Sequence, residues 1–237
     1  MKALILNSGM GSRMGEYTAK HPKCMTDLLS GETILSRQLK ILESQNVKDV
    51  VITTGYYREV LIDYCNSLNL DINLTFVHNN AYDKTNYIYS IYCAKELLRG
   101  QDVLLLHGDL VFEESVLKDV LSFEKSCMKV STTLPLPDKD FKAVLAGGLI
   151  KKVGVEFFEN AVEAQAFYKL NKEEWDKWLN KIIEFCENGN NKCYAEKAFN
   201  EISDDCKIYP YDIEDRLCTE IDTPEDLEKV LEKLVAL

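Results

Sequence analysis

The stretch LNSGMGSRMG (6–15) gathers Gly9, Gly11 and Gly15 with Ser8, Ser12 and Arg13, and Pro22-Lys23 follows ten residues after the arginine. Glycines let a backbone wrap a phosphate chain, and successive N–H groups form an anion nest. Arg13 and Lys23 supply the positive charge such a ligand needs. Two familiar phosphate loops fail on spacing. A Walker A loop needs G-x-x-x-x-G-K-[ST], and the sixth residue counted from Gly9 is Met14. The dinucleotide fingerprint needs G-x-G-x-x-G opening a helix at once, whereas these glycines fall at 9, 11 and 15 and the next helical period begins near Thr33. An ordinary turn or another kind of phosphate site remains for the loop taken alone.

Two carboxylates stand in positions of similar interest. Asp109 follows LLLHG at the end of an apolar run, where open α/β sheets place ligands. Asp222 ends CTEID directly before a helix start, where the helix dipole also favours a negative charge. No Ser/His/Asp or Cys/His constellation accompanies them.

The elements that must position these residues alternate. KALIL (2–6), VKDVVITTG (47–55), INLTFVHNN (72–80) and DVLLLHGDLVF (102–112) read as strands. Between and after them lie helical periods: one from Thr33 with Ile34, Leu35, Leu39 and Leu42, then YREVLIDYCNSLN, NYIYSIYCAKELL (86–98) and EESVLKDVLSFEK. Continuous rather than alternating apolar strands predict a parallel sheet covered on both faces. After about residue 128 the pattern changes to a hairpin turning at Gly147-Gly148, a strand AVEAQAFYKL, helices over 172–189 and 193–202, and an extended CKIYPYDI. A last helix starts at Thr223 as N-cap with Pro224 at its first position. The expected fold class is α/β: a Rossmann-like, mostly parallel sheet flanked by helices, with a β-hairpin and helical acceptor-side insertion. One domain is expected over 1–237, with a nucleotide-binding half to about 128 and an acceptor-side half from about 129.

Composition narrows the function. A formal charge of −11 over 237 residues argues against a nucleic-acid or anionic-membrane surface, so an anionic ligand must meet a local cation cluster or a metal. No run approaches the roughly 18 apolar residues of a membrane span, and Met1-Lys2 leads straight into a strand, so a cytoplasmic protein is expected. The eight cysteines are scattered with no C-x-x-C, which predicts reduced structural thiols rather than staples or zinc.

The opening LILNSGMGSRMGEYTAKHPK resembles that of nucleotidyltransferases joining a nucleoside triphosphate to a phosphorylated small molecule: strand, Ala-Ala-Gly-x-Gly-Ser/Thr-Arg-Leu/Met, then Pro-Lys. TTGY (53–56), HGD (107–109) and EIDTPEDL (220–227) extend the resemblance over most of the chain, while Asn7-Ser8 replace the usual Ala-Ala. The resemblance implies that the backbone of Gly9, Met10, Gly11 and Ser12 wraps the triphosphate, with Asn7, Ser8 and Gly55 beside it. Arg13 would neutralise charge and Lys23 would meet the α-phosphate. It also implies Mg²⁺ held by Asp109 and Asp222, a donor set that suits this ion.

Within that family the chain is most similar to small cytidylyltransferases of the phosphocholine and aminoethylphosphonate types, through NNAYDKTNYIYSIYCAKELL (79–98). That implies CTP as donor, Asn79, Asn86 and Ser90 near the nucleoside, and a small phospho- or phosphono-amine as acceptor. A quaternary ammonium calls for aromatic walls and a carboxylate. Glu156, Tyr168 and Glu220 are the expected acceptor contacts, chosen from a second half that also offers Phe157, Phe158, Phe167, Trp175 and Tyr194. Thr219 stands where the phosphocholine type has an aromatic, which keeps a smaller amine or a phosphonate open. Two alternatives stay beside this reading: a sugar-1-phosphate nucleotidyltransferase, and a non-catalytic nucleotide-binding regulator on the same fold. A homodimer is compatible with either.

Overall fold

The structure is a computed structural model that describes residues 1–29 and 31–236. Its main sheet runs β10(Tyr209–Asp212), β6(Cys127–Ser131), β9(Ala161–Leu170), β4(Val103–His107), β1(Lys2–Asn7), β2(Asp49–Thr54), β3(Asn73–His78). Four of the six pairings along this path are parallel, namely β1 with β2 and β4, β2 with β3, and β6 with β10. The sheet is therefore mostly parallel, as the continuous apolar strands predicted. The exception is β9, which enters antiparallel between β4 and β6. A hairpin of β7(Lys142–Ala146) and β8(Leu149–Gly154) turns at Gly147 and Gly148, and β7 adds to the edge of β9. A short ribbon of β5(Leu110–Phe112) and β11(Cys218–Glu220) stands apart.

Helices cover both faces because each buries one apolar stripe. On one face α3(Tyr87–Leu98), α5(Lys172–Glu187) and α6(Ala195–Ile202) pack Ile88, Ile91, Trp175, Trp178 and Phe199 against Leu4, Leu105 and Tyr168. On the other, α1(Ile34–Ser44), α2(Arg58–Ser67) and α4(Glu114–Ser122) bury Leu35, Leu39, Leu61 and Val116 on Ile5, Ile52 and Leu106. The closing α7(Pro224–Ala236) seals a third cluster with Met14, Ile34 and Val111.

The helix starts follow local chemistry. Thr33 caps α1 in a reciprocal pair with Ser36, and Asn86 caps α3 by accepting from the Tyr87 N–H. At α7 the Thr223 hydroxyl accepts from the Asp226 N–H, and the Asp226 carboxylate accepts from the Thr223 N–H at 2.9 Å. Among the described residues no helix is long and apolar enough to cross a membrane.

Candidate active site

The carboxyl ends of β1 and β4 meet at one cleft, and the glycine loop lies across it. Gly11 adopts φ +63°, and a Cβ there would approach the Lys23 Cβ to 2.9 Å. Only glycine satisfies both the left-handed backbone and that close approach. Two further glycines seat the loop. A Cβ on Gly55, just past β2, would come within 2.2 Å of the Ser8 carbonyl oxygen, and one on Gly108, just past β4, within 1.6 Å of Asn7 Oδ1. Among the described residues the N–H groups of Gly9, Met10 and Gly11 donate to no protein acceptor, so they are free for an anion. The next turns are 3₁₀ segments, Ser12–Thr18 and Lys23–Met25, which bring Arg13 and Lys23 back over the strand ends.

There Lys23 Nζ sits 2.5 Å from Asp109 Oδ2 and 2.7 Å from Asp222 Oδ1, and Arg13 Nη1 lies 2.9 Å from Asp222 Oδ2. Burial pulls the Lys23 ammonium downward, but the two carboxylates outweigh it and hold it well above its ordinary range. Burial likewise raises Asp109, and Lys23 with His107 overcomes it, so this carboxyl is held below its ordinary range. His107 Nδ1 pairs with Glu220 Oε1 at 2.9 Å. Burial lowers His107, yet the hydrogen bond and charge of Glu220 lift it to about 9.

The donor set fits Mg²⁺. Asp109 Oδ1 is buried without a hydrogen-bond partner, an acceptor left for a cation or a donor brought by ligand. His107, Asp109 and Glu220 lie within ligand distance of one another, as do Asp140, Glu220 and Asp222. Glu220 thus links the two expected metal ligands, and the Lys23 ammonium also bridges them.

The cleft encloses about 370 Å³ and runs from Gly9, Arg13 and Lys23 to a wall of Tyr87, Phe141 and Tyr194. The Tyr87 and Tyr194 rings stack with centroids 5.7 Å apart, Phe141 meets Tyr194 edge-on at 5.2 Å, and His107 meets Tyr87 edge-on at 4.7 Å. Met10, Ser12, Asn7, Asp140 and Glu220 also line it. An adjoining compartment of about 280 Å³ is lined by Ser8, Gly9, Asn79, Tyr82, Asn86 and Ser90. The expected phosphate-side and nucleoside-side residues are therefore gathered in two contiguous cavities, with Gly55 supporting their floor from behind.

Some of these residues are already occupied. Asn79 Nδ2 donates to Thr85 Oγ1 and Ser90 Oγ, both at 3.1 Å, and its Oδ1 accepts from the Ala81 N–H. Asn86 Oδ1 is engaged in its cap. These side chains shape the compartment wall, while Ser8 Oγ, His107 Nε2 and Asp109 Oδ1 are buried and unpartnered in residues that line it.

The acceptor side needs correction. Tyr168 is 1% exposed, and its hydroxyl donates to Glu196 in the core, so it does not reach the cleft. Glu156 is exposed beyond β8 and does not line the cavity. Phe167 and Trp175 are core residues, because β9 lies mid-sheet and α5 packs over it. Glu220 and Tyr194 do line the cleft. The missed residues are Tyr87, His107, Asp140 and Phe141. Thr219 lines a separate small cavity with Gln165 and Arg216, so that position forms no wall of the main cleft.

A cleft at the parallel strand ends therefore carries a glycine loop and a Lys–Asp–Asp cluster. The chain belongs to the MobA-like NTP transferase domain family, which it matches over residues 3–130. It is 28% identical over 127 residues to the CTP:phosphoglutamine cytidylyltransferase of Campylobacter jejuni, covering 52% of this chain and 49% of that protein. It is 36% identical over 118 residues to the CMP-5'-(3-aminopropyl)phosphonate synthase of Streptomyces rubellomurinus, covering 50% of this chain and 18% of that protein. The match thus spans about half or less of these curated relatives. The solved CTP:phosphocholine cytidylyltransferase LicC of Streptococcus pneumoniae shares the fold, with a TM-score of 0.78 at 20% identity over 98% of each chain.

Proposed function

We propose that the protein is an Mg²⁺-dependent cytidylyltransferase that joins CTP to a small phosphorylated or phosphonylated amine and releases pyrophosphate. One observation carries the reading. A single cavity holds the Lys23–Asp109–Asp222 cluster, the carboxylates Glu220 and Asp140 beside it, and an aromatic wall of Tyr87, Phe141 and Tyr194. The cluster suits a triphosphate. The wall suits an organic cation, which aromatic faces and carboxylates attract. The names of the two cytidylyl-transferring relatives, a phosphoglutamine enzyme and an aminopropylphosphonate enzyme, support the same pairing.

The chemistry needs no protein nucleophile. The acceptor's phosphate or phosphonate oxygen is already anionic; it forms a bond to the α-phosphorus as the bond from that phosphorus to the departing pyrophosphate oxygen breaks. The free N–H groups of Gly9, Met10 and Gly11 cradle the triphosphate, and Arg13 screens its charge. Lys23 exchanges a carboxylate partner for an α-phosphate oxygen, where negative charge builds during transfer. Tyr87, Phe141 and Tyr194 hold the amine end so that the oxyanion points along the line of attack. Asp109 and Asp222 would hold Mg²⁺, whose contribution when bound is Lewis-acid neutralisation of the phosphates.

The test is phosphorus NMR of CTP, Mg²⁺ and phosphocholine with the protein. The expected result is loss of the CTP signals, appearance of a pyrophosphate diester and free pyrophosphate, and arrest by EDTA. Intact CTP with phosphocholine, phosphoethanolamine and aminoethylphosphonate alike would sink the reading.

A further inference from the structure

Glu196 is a buried carboxylate that the mechanism above does not use. It is the second residue of α6, is 1% exposed, and lies behind the aromatic wall of the cleft. Each oxygen accepts from one tyrosine hydroxyl: Oε2 from Tyr87, and Oε1 from Tyr168 at 2.9 Å. Both oxygens of the side chain are thus engaged by phenols, one of them on the cleft wall.

The cation beside it is the His107 imidazole, which Glu196 helps to raise. Among the described residues no lysine or arginine pairs with Glu196, and the nearby His107 is hydrogen-bonded to Glu220 instead. The N-terminal turn of α6 contributes its dipole, a partial charge only. The buried Lys129–Glu163 pair of this same protein is the contrasting case, with a lysine 0% exposed bonded to its partner. One ring links Glu196 to the cleft. Tyr87 donates to Glu196 and also lines the cleft, stacked on Tyr194 and edged by His107.

A phenol that donates its proton to a carboxylate carries more electron density in its ring, and such polarisation is strong in a low-dielectric interior. A cation on an aromatic wall is attracted by the negative face of the ring. We propose that Glu196, acting through Tyr87, is the positioning residue that makes the acceptor end of the cleft select a cation over a neutral group of the same shape. This rests on the amine-acceptor reading above and deepens it. Packing alone treats a trimethylammonium and a tert-butyl group alike. A charge behind the ring does not.

The experiment compares phosphocholine with its neutral isostere, 3,3-dimethylbutyl phosphate, as acceptors for the wild type, Glu196→Gln and Tyr87→Phe. The wild type is expected to favour phosphocholine in KM. Glu196→Gln keeps volume and a hydrogen-bond acceptor but removes the charge, so that preference should shrink roughly three- to thirtyfold, the span of a desolvated cation–π contact. The KM of the neutral isostere and of CTP should move less than about twofold on the same scale. Tyr87→Phe keeps the ring and cuts its link to the carboxylate, so its preference should fall between the two. If Glu196→Gln does not fold, Tyr87→Phe decides alone. An equal weakening of both acceptors, or an unchanged preference in the folded variants, overturns the proposal. A wild type that turns over CTP with phosphocholine but shows no charge preference overturns it while leaving the amine-acceptor reading intact. Turnover with neither acceptor removes that reading and this proposal with it.

Discussion

At the phosphate end of the cleft the cations are held in pairs: Lys23 joins Asp109 and Asp222, and Arg13 leans on Asp222. Asp140 beside that cluster and Glu196 behind the aromatic wall have no ion-pair partner among the described residues, and burial together with the neighbouring Asp222, Asp226 and Glu163 pushes the Asp140 carboxyl above its ordinary range. The difference is one of what each group lacks. The first is neutral by itself and can bind by exchanging partners, a lysine leaving a carboxylate for a phosphate. The second offers carboxylates without a paired cation, and on the proposed reading a positive group on the acceptor would complete it.

The largest expected effect comes from breaking the paired end. Asp109→Asn or Asp222→Asn preserves size and removes the charge that would bind Mg²⁺, so turnover should fall by roughly two to four orders of magnitude. Circular dichroism should still report a folded chain. Full activity of either variant at limiting Mg²⁺ would contradict the assignment. Lys23→Ala should cost about 10²–10³ in kcat, the scale of one lost transition-state donor, with a smaller change in nucleotide affinity. A loss confined to binding, with kcat intact, would reduce Lys23 to a ground-state contact.

The loop's seat allows a sharper cut. Gly55→Ala would drive a methyl into the Ser8 backbone, which has nowhere to go, so a destabilisation of about 1–3 kcal/mol and a raised KM for CTP are expected. Gly108→Ala meets the Asn7 side chain instead. Its cost should be largely recovered in the Gly108→Ala/Asn7→Ala double variant, a coupling readable by thermal melts. No recovery would mean that Asn7 does not fill that space.

The smallest effect concerns the thiols. All eight cysteines are unpaired, and only Cys93 and Cys193 are partly exposed. Burial pushes Cys65, Cys127, Cys186 and Cys218 up to about 12, so little thiolate exists near pH 8. A thiol reagent at that pH should label two sites quickly and the other six only on unfolding. Rapid labelling of more than two would show the core to be looser than described.

Much of this was readable before any coordinates. The β-α alternation, the Thr223 cap and the Gly147-Gly148 turn follow from local periodicity and capping chemistry, and each is found in place. The phosphate end was readable because its residues cluster at strand ends within short motifs. The acceptor end was not, because its wall is assembled from Tyr87 on α3, Phe141 before β7 and Tyr194 before α6. Each taken alone looks like a core aromatic. What joins them is the antiparallel insertion of β9 beside β4, a long-range pairing with no local signal. The same insertion buries Phe167 and Tyr168, which the sequence offered equally well as cleft residues.

The most direct measurement of the pairing of the two ends is pyrophosphate release across a matrix of substrates. Each of the four nucleoside triphosphates is combined with Mg²⁺ and phosphocholine, phosphoethanolamine, aminoethylphosphonate, glucose-1-phosphate or mannose-1-phosphate. Release is expected with CTP and the amines, strongest with one of the first three acceptors, and only weakly with the sugar phosphates. Release with UTP or dTTP and a hexose-1-phosphate, and none with CTP and any amine, would contradict the cytidylyl assignment and make the aromatic, carboxylate-rich wall a sugar site instead.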